Sequence, residues 1–222
     1  MSVPHSPAEL QKLYQQRFEG MSEYRDLVWR VLVDEYFAQW IPARAAVLDL
    51  GCGHCEFINS VRAETRFGMD LNPDALERAG PGVQILAQSC SQPWAVADDS
   101  LDVVFTSNFF EHLHTKRALR ETLMQARRCL RPGGRIIALG PNIRYLPGKY
   151  WDFYDHHLAL TELSLGEVMA ETGFTLEEQI PRFLPFTMSR GRQRPIWMLR
   201  LYLKLKFAWR LFGEQFLIVA RK

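Results

Sequence analysis

The chain has 222 residues, is 47% hydrophobic and 23% charged, and carries a formal net charge of +2. That is ordinary for a soluble globular protein of about one α/β domain, and it excludes a generally basic nucleic-acid binder. No apolar run approaches the ~18 residues of a membrane span, and MSVPHSPAEL lacks the basic, apolar, small-residue order of a secretory signal.

The four cysteines, Cys52, Cys55, Cys90 and Cys129, are too few and too irregularly spaced for a disulfide framework. A reducing cytoplasm is the expected setting. Cys52-x-x-Cys55 suggests zinc or redox chemistry, but no second pair completes a tetrahedral site.

Ser6-Pro7-x-Glu9 has the form of a capping box with proline in the first turn. It predicts a helix to about Phe18. A second helix is expected from Ser22 to Trp40, where Leu27, Val31 and Tyr36 recur at helical spacing. The stretch Val47–Phe57, VLDLGCGHCEF, reads as a buried strand, a turn at Gly51-Cys52-Gly53 and a helix opening near His54. Such a turn needs backbone angles that glycine reaches cheaply, and it brings N–H groups and a helix start above the strand end.

Asp70 follows Gly53 by 17 residues, at the end of the strand-like run Phe67-Gly68-Met69. A carboxylate there can accept both hydroxyls of a ribose. A dinucleotide is the first candidate, but Glu56 takes the third glycine position of its fingerprint and would repel a pyrophosphate. S-adenosylmethionine has no phosphate and carries an ammonium, which Asp49 at the strand end is placed to hold.

The remaining elements alternate. Strands are expected at Ala46–Leu50, Arg66–Asp70, Gln84–Ala87, Leu101–Ser107, Arg135–Leu139, Phe174–Ile180 and Gln215–Ala220. Helices are expected at Cys55–Arg62, Pro73–Ala79, Lys116–Cys129 and Leu160–Thr172, with Pro132-Gly133-Gly134 closing the long one. Alternation of this kind favours a parallel sheet covered on both faces.

VLDLGCG, then GMDLNPDAL, then QPWAVADDSLDVVFTSNFFEHL, then ARRCLRPGGRIIALGPN form an ordered series over roughly Ala45–Asn142. In this series the chain resembles the class I S-adenosylmethionine-dependent methyltransferases, in the group of small-molecule and ubiquinone-type enzymes. The resemblance implies an α/β fold, a Rossmann-like doubly wound sheet of seven strands, mostly parallel with an antiparallel last strand. It implies a single domain with lid helices over 6–40, where Tyr14 and Arg17 either face the cofactor or, the favoured reading, serve as a packing residue and a solvated one. It also implies S-adenosylmethionine as cofactor and S-adenosylhomocysteine as product. The cofactor-binding positions carried over are Asp49, Gly51, Cys52, Gly53, Asp70, Leu71, Gln88, Ser89 and Asn108. Two positions depart from the family pattern. Cys55 replaces the third glycine of the turn, and Gln88 stands where an aspartate often meets the adenine amine.

Two segments border the substrate side. After the fourth strand, Ser107–His112 lies by the methyl group in the resembled family, and His112 belongs to a common Glu-His pattern at a helix start. After the fifth strand, Lys149–Leu165 crowds Asp155, His156 and His157 against Tyr150, Trp151, Phe153 and Tyr154. A similar aromatic-Asp-His-His run with Thr-Glu occurs in a bacterial subgroup of the family. Aromatic walls with a few polar groups suit a small-molecule or lipid headgroup pocket. His156 and His157, with Asp155 to orient one of them, are the candidate catalytic groups for a hydroxyl acceptor. Two adjacent histidines with acids also suit a metal, but they show no ordered ligand set, and no metal is assigned.

From Gln179 to Gly213 there are eight basic residues and no acid. On a helix, Trp197, Met198, Leu201, Tyr202, Leu205, Ala208, Trp209 and Phe212 share an uncharged arc opposite Arg200, Lys204, Lys206 and Arg210. A basic amphipathic helix over 195–212, within an insertion of about 190–213, can lie on a membrane surface or pack on the domain. The expectation is a cytoplasmic methyltransferase, peripheral at the inner membrane surface only if that helix does not pack on the domain, that methylates a small-molecule or lipid-like acceptor, with a weak preference for oxygen. Nucleic acid is not an expected partner. The alternative is a non-catalytic scaffold docking through the basic helix.

Overall fold

The computed structural model describes residues 9, 11, 12, 22–186 and 193–222. Of the helix expected over 6–18, the described residues Glu9, Gln11 and Lys12 are helical. Tyr14, Arg17, Arg190 and Arg192 lie outside the described residues.

Helix α1 (Ser22–Glu35) is followed by a short 3-10 turn, Phe37–Trp40, where one continuous helix was expected. Then come β1 (Ala46–Leu50), α2 (Glu56–Ser60), β2 (Thr65–Met69), α3 (Asp74–Arg78), β3 (Val83–Leu86) and β4 (Leu101–Ser107). The second half holds α4 (Lys116–Cys129), β5 (Leu130–Pro141), α5 (Glu162–Glu171), β6 (Thr175–Ile180), α6 (Ile196–Lys204), α7 (Lys206–Phe212) and β7 (Gln215–Arg221). The strands make one seven-stranded sheet in the order β3-β2-β1-β4-β5-β7-β6. All pairings from β3 through β5 are parallel, and β7 runs antiparallel to β5 and β6. The expected Rossmann-like sheet with its antiparallel last strand is therefore present.

Successive residues on the central strands enter opposite cores, as a sheet covered on both faces requires. Val103 and Phe105 of β4 join α1 in one core, with Phe105 stacked on Phe57 at 3.6 Å between centroids. Val104, Ile136 and Ile218 join Leu119 and Leu123 of α4 and Leu165 and Met169 of α5 in the other. Local chemistry sets the helix starts. Thr115 Oγ1 accepts the Ala118 N–H at α4, and Thr161 with Ser164 completes a capping box at α5.

The helix expected over 196–212 is broken. Leu205 leaves helical geometry at φ −98 and ψ 76, and the Trp209 indole N–H folds back onto the Tyr202 carbonyl at 2.9 Å. Leu203, Ala208 and Trp209 are buried, while Trp197, Leu201, Phe207, Leu211 and Phe212 remain exposed. Leu203, outside the uncharged arc of a straight helix, faces inward. No helix among the described residues is long and apolar enough to cross a membrane.

Candidate cofactor crevice and acceptor site

The turn after β1 is built as the sequence suggests. Gly51 adopts φ +73, and a Cβ there would fall 2.3 Å from the Phe109 ring, so only glycine fits beneath that ring. The Gly51 and Cys52 N–H groups both donate to the Met69 carbonyl, at 2.8 and 3.2 Å, stitching the turn to the end of β2. The Gly53 N–H donates to Asp70 Oδ2 at 2.8 Å, and the Asn72 N–H donates to Asp70 Oδ1 at 2.8 Å. Asp70 thus orders both βα connections and keeps spare lone pairs for two hydroxyls. Leu71 beside it is 45% exposed, a flat apolar surface at the strand end.

Cys55 settles the first departure from the family pattern. It takes φ +63 at the cap of α2, the left-handed conformation that glycine would adopt, at a cost of about 1–2 kcal/mol. Its thiol is buried, 3.8 Å from Cys52 Sγ and 3.5 Å from the Ala75 carbonyl, so it packs into the core. Both cysteines are free thiols. A thiol-to-thiol contact together with burial pushes Cys52 far up.

Gln88 is engaged differently from the expectation. Its amide oxygen accepts the Ala95 N–H at 3.0 Å and its amide N–H donates to the Pro93 carbonyl at 3.1 Å. The side chain braces the loop after β3, with one lone pair left on the oxygen. The neighbouring Ser89 hydroxyl meets Ser91 at 3.2 Å.

The crevice is acidic. Burial holds the Asp49 carboxyl well above the usual carboxylate range, and the charges of Glu56 and Asp70 add to it. Asp70 is also raised by burial, against the pull of the Asn72, Gly53 and Leu71 N–H groups. Glu56, which was expected to repel a pyrophosphate, is bonded to Arg25 at 2.6 Å. Its charge is compensated by α1, a partner not read from the sequence. Asp49 and Asp70 are the two acids that a cationic ligand would relieve. The buried Asn108 Oδ1 accepts no hydrogen bond among the described residues. These groups fit a molecule carrying an ammonium, a sulfonium and ribose hydroxyls.

The side where the sequence leads one to expect the acceptor is assembled from two distant segments. Asn108 sits at φ +50, and its N–H donates to the Leu139 carbonyl at 2.9 Å, extending the pairing of β4 with β5. The 3-10 turn Phe110–His112 follows. The His157 and Leu158 N–H groups donate to the Glu111 carbonyl at 2.7 and 3.0 Å, fastening the loop after β5 to this turn. The His112 Nδ1–H then reaches the Asp155 carboxylate at 3.1 Å and its carbonyl at 3.0 Å. Burial pushes His112 down, but the hydrogen bond and charge of Asp155 with the charge of Glu111 outweigh it, and His112 ends above the ordinary histidine range.

The His156 ring stacks on Phe153 at 5.0 Å, meets Tyr150 at 4.6 Å and stands edge-on to His112 at 5.0 Å. His157 faces His114 at 4.2 Å. The sequence pointed to Asp155 orienting His156 or His157. The structure pairs Asp155 with His112 and brings Glu111 into the same cluster. The Glu-His pair one turn past β4 was the available signal, but its partner was hidden in a distant loop. The cluster borders the crevice: Phe109 covers Gly51, and a charge on His112 lowers the Asp70 carboxyl.

This sheet, turn and acid pair define a class of protein, and comparison with known proteins agrees. The family model described as "Methyltransferase domain" matches residues 21–179, so the chain belongs to that family. No curated relative matches the chain. An S-adenosylmethionine-dependent methyltransferase from Archaeoglobus fulgidus superposes with a TM-score of 0.65 at 19% identity, over 95% of this chain and 99% of its own. A chain from the complex of the Haloferax volcanii Trm112 methyltransferase activator with a methyltransferase gives 0.70 at 18% identity, covering 99% of each. The N-methyltransferase NodS of Bradyrhizobium japonicum, solved with S-adenosylhomocysteine, gives 0.60 at 12% identity, over 96% of this chain and 98% of its own. The chain is a methyltransferase with the class I S-adenosylmethionine-dependent fold. An enzyme is thereby favoured over a non-catalytic scaffold.

Proposed function

We propose that the protein moves the methyl group of S-adenosylmethionine to a hydroxyl oxygen of a small-molecule or lipid-like acceptor, acting as a single domain. When bound, the cofactor supplies a methyl carbon made electrophilic by the sulfonium. Asp70 would hold its ribose hydroxyls, Asp49 its ammonium, and Leu71 one face of its adenine, with Gly51, Cys52, Gly53 and Asn108 lining the crevice. The observation that carries the oxygen preference is the Asp155–His112 pair at the end of β4, 3.1 Å apart. A hydroxyl must lose its proton as it attacks, and an imidazole fixed by a carboxylate beside the cofactor is placed to promote that loss. An amine acceptor would need no such group once deprotonated.

The test is turnover. The full chain is incubated with S-adenosylmethionine and a panel of phenols, diols, lipid alcohols and amines, and S-adenosylhomocysteine is measured by mass spectrometry. Methylation of hydroxyl compounds that His112→Ala abolishes, with cofactor binding retained, supports the reading. Methylation of amines alone refutes it.

The exposed Trp197, Leu201, Phe207, Leu211 and Phe212 lie among Lys204, Lys206 and Arg210. This composition favours contact with an anionic lipid surface, where a lipid-like acceptor would be found. Co-sedimentation with anionic vesicles, lost in Phe207→Glu/Leu211→Glu, checks that contact. A chain that stays in the supernatant excludes it.

A further inference from the structure

We propose that Glu111, His112 and His156 form a divalent-cation site that holds the acceptor oxygen. The inference rests on the oxygen-acceptor reading above and specifies what activates that oxygen: a cation that His112 helps to hold, in place of direct proton removal by the imidazole. It revises the expectation of a site without metal.

One ligand atom from each of the three side chains lies within 4.8 Å of the other two. Metal–nitrogen and metal–oxygen bonds of ~2.0–2.2 Å place neighbouring ligand atoms ~3 Å apart, so modest side-chain rotations close the shell. Two imidazoles and one carboxylate suit manganese, iron, cobalt or zinc better than calcium, which takes oxygen ligands.

The surroundings are those of a built site. His112 donates Nδ1–H to Asp155, which fixes the tautomer and leaves Nε2 as the ligating atom. A carboxylate behind a histidine in this way orients metal ligands and raises their basicity. The Glu111 carbonyl receives two N–H groups from the loop that carries His156, so ligands from both segments share one frame. Glu111 and His156 are 2% and 6% exposed. Tyr150, fully buried, donates its hydroxyl to the Leu158 carbonyl and walls the His156 ring.

Three protein ligands leave positions open for the acceptor. A hydroxyl with a second oxygen beside it would chelate there. Coordination to a divalent cation lowers the hydroxyl pKa. Its proton passes to solvent. The oxygen lone pair forms the new O–CH3 bond as the S–CH3 bond breaks, and the electron pair of that bond remains on sulfur as S-adenosylhomocysteine.

The full chain, stripped with a chelator, is titrated with cobalt(II) alone and followed by calorimetry and visible absorption. The proposal expects one equivalent bound, with the absorption of a nitrogen- and oxygen-ligated ion. Near-isosteric Glu111→Gln and His156→Gln weaken binding at least tenfold, and Asp155→Asn by roughly tenfold, while each variant still binds S-adenosylhomocysteine. A wild-type chain that binds S-adenosylhomocysteine but no cobalt overturns the proposal, as does binding indifferent to all three substitutions. A wild-type chain that binds cobalt but no S-adenosylhomocysteine defeats the methyl-transfer reading instead, and this proposal with it.

Discussion

Asp155 and His112, 43 positions apart in the chain, meet through a 3.1 Å contact between carboxylate and Nδ1. The contact joins the loop after β5 to the turn after β4, directly beside Phe109 and Gly51. One side of the sheet's carboxyl end thus holds an acidic crevice, and the other holds a cluster of imidazoles and carboxylates. In open α/β sheets ligands bind at this end.

Arg25 fastens α1 to the glycine turn through Glu56, in a pair whose side chains are 11% and 8% exposed. Replacing Arg25 by Met leaves a buried carboxylate without its cation. Breaking such a pair costs about 3–5 kcal/mol, so thermal denaturation should show a large fall in Tm. Arg25→Met/Glu56→Gln should recover most of it, because the uncompensated charge is then gone.

Gly51→Ala tests the tightness of the turn. The new methyl meets Phe109 at 2.3 Å and holds φ at +73, unfavourable for an L residue. The expected result is loss of S-adenosylhomocysteine binding and a lower Tm. Adding Phe109→Ala relieves the collision but not the backbone, which retains about 1–2 kcal/mol of strain. The double variant should therefore recover stability only in part.

Asp49 sets a pH dependence. Burial raises its pKa well above the usual range, so in the free protein it stays protonated where an exposed aspartate, near pH ~3.9, has ionised. A bound ammonium favours the carboxylate, so binding releases a proton. Affinity for S-adenosylmethionine should rise with pH until the raised pKa is passed, then level off. Stability of the free chain has the opposite sign. The contribution of this group is full below the unfolded pKa and is lost as pH climbs through the folded one. Asp49→Asn should flatten both profiles, raise the Tm of the free chain at neutral pH, and weaken cofactor binding about tenfold or more, as loss of ~1.4 kcal/mol implies. Calorimetry and thermal melts across pH check these slopes.

The parts legible in the sequence were those set by local chemistry. Strand β4 and helix α4 fall at their expected bounds because a short apolar run and the Thr115 cap act within a few positions. The place of Asp70 beside the glycine turn was legible because an acid that ends the neighbouring parallel strand falls level with that turn. The His112–Asp155 contact was not, since proximity in sequence favoured the adjacent histidines and the pairing exists only once β4 and β5 lie side by side. Arg25 on Glu56 escaped notice for the same reason. The break at Leu205 has no glycine or proline to announce it. It follows from burying Leu203 and Trp209 against one core, which a single straight helix does not achieve with its charges facing out.

The central claim is that the Gly51–Gly53 turn and Asp70 clasp the adenosyl moiety. Its most direct test is a calorimetric titration of S-adenosylhomocysteine into the full chain and into Asp70→Ala. Removing the carboxylate strands the Gly53 and Asn72 N–H groups, each at about 1–3 kcal/mol. The account predicts saturable one-to-one binding by the wild type and its loss in the variant. A folded wild-type chain that shows no saturable heat at millimolar ligand, or an Asp70→Ala chain that binds as tightly, would contradict it.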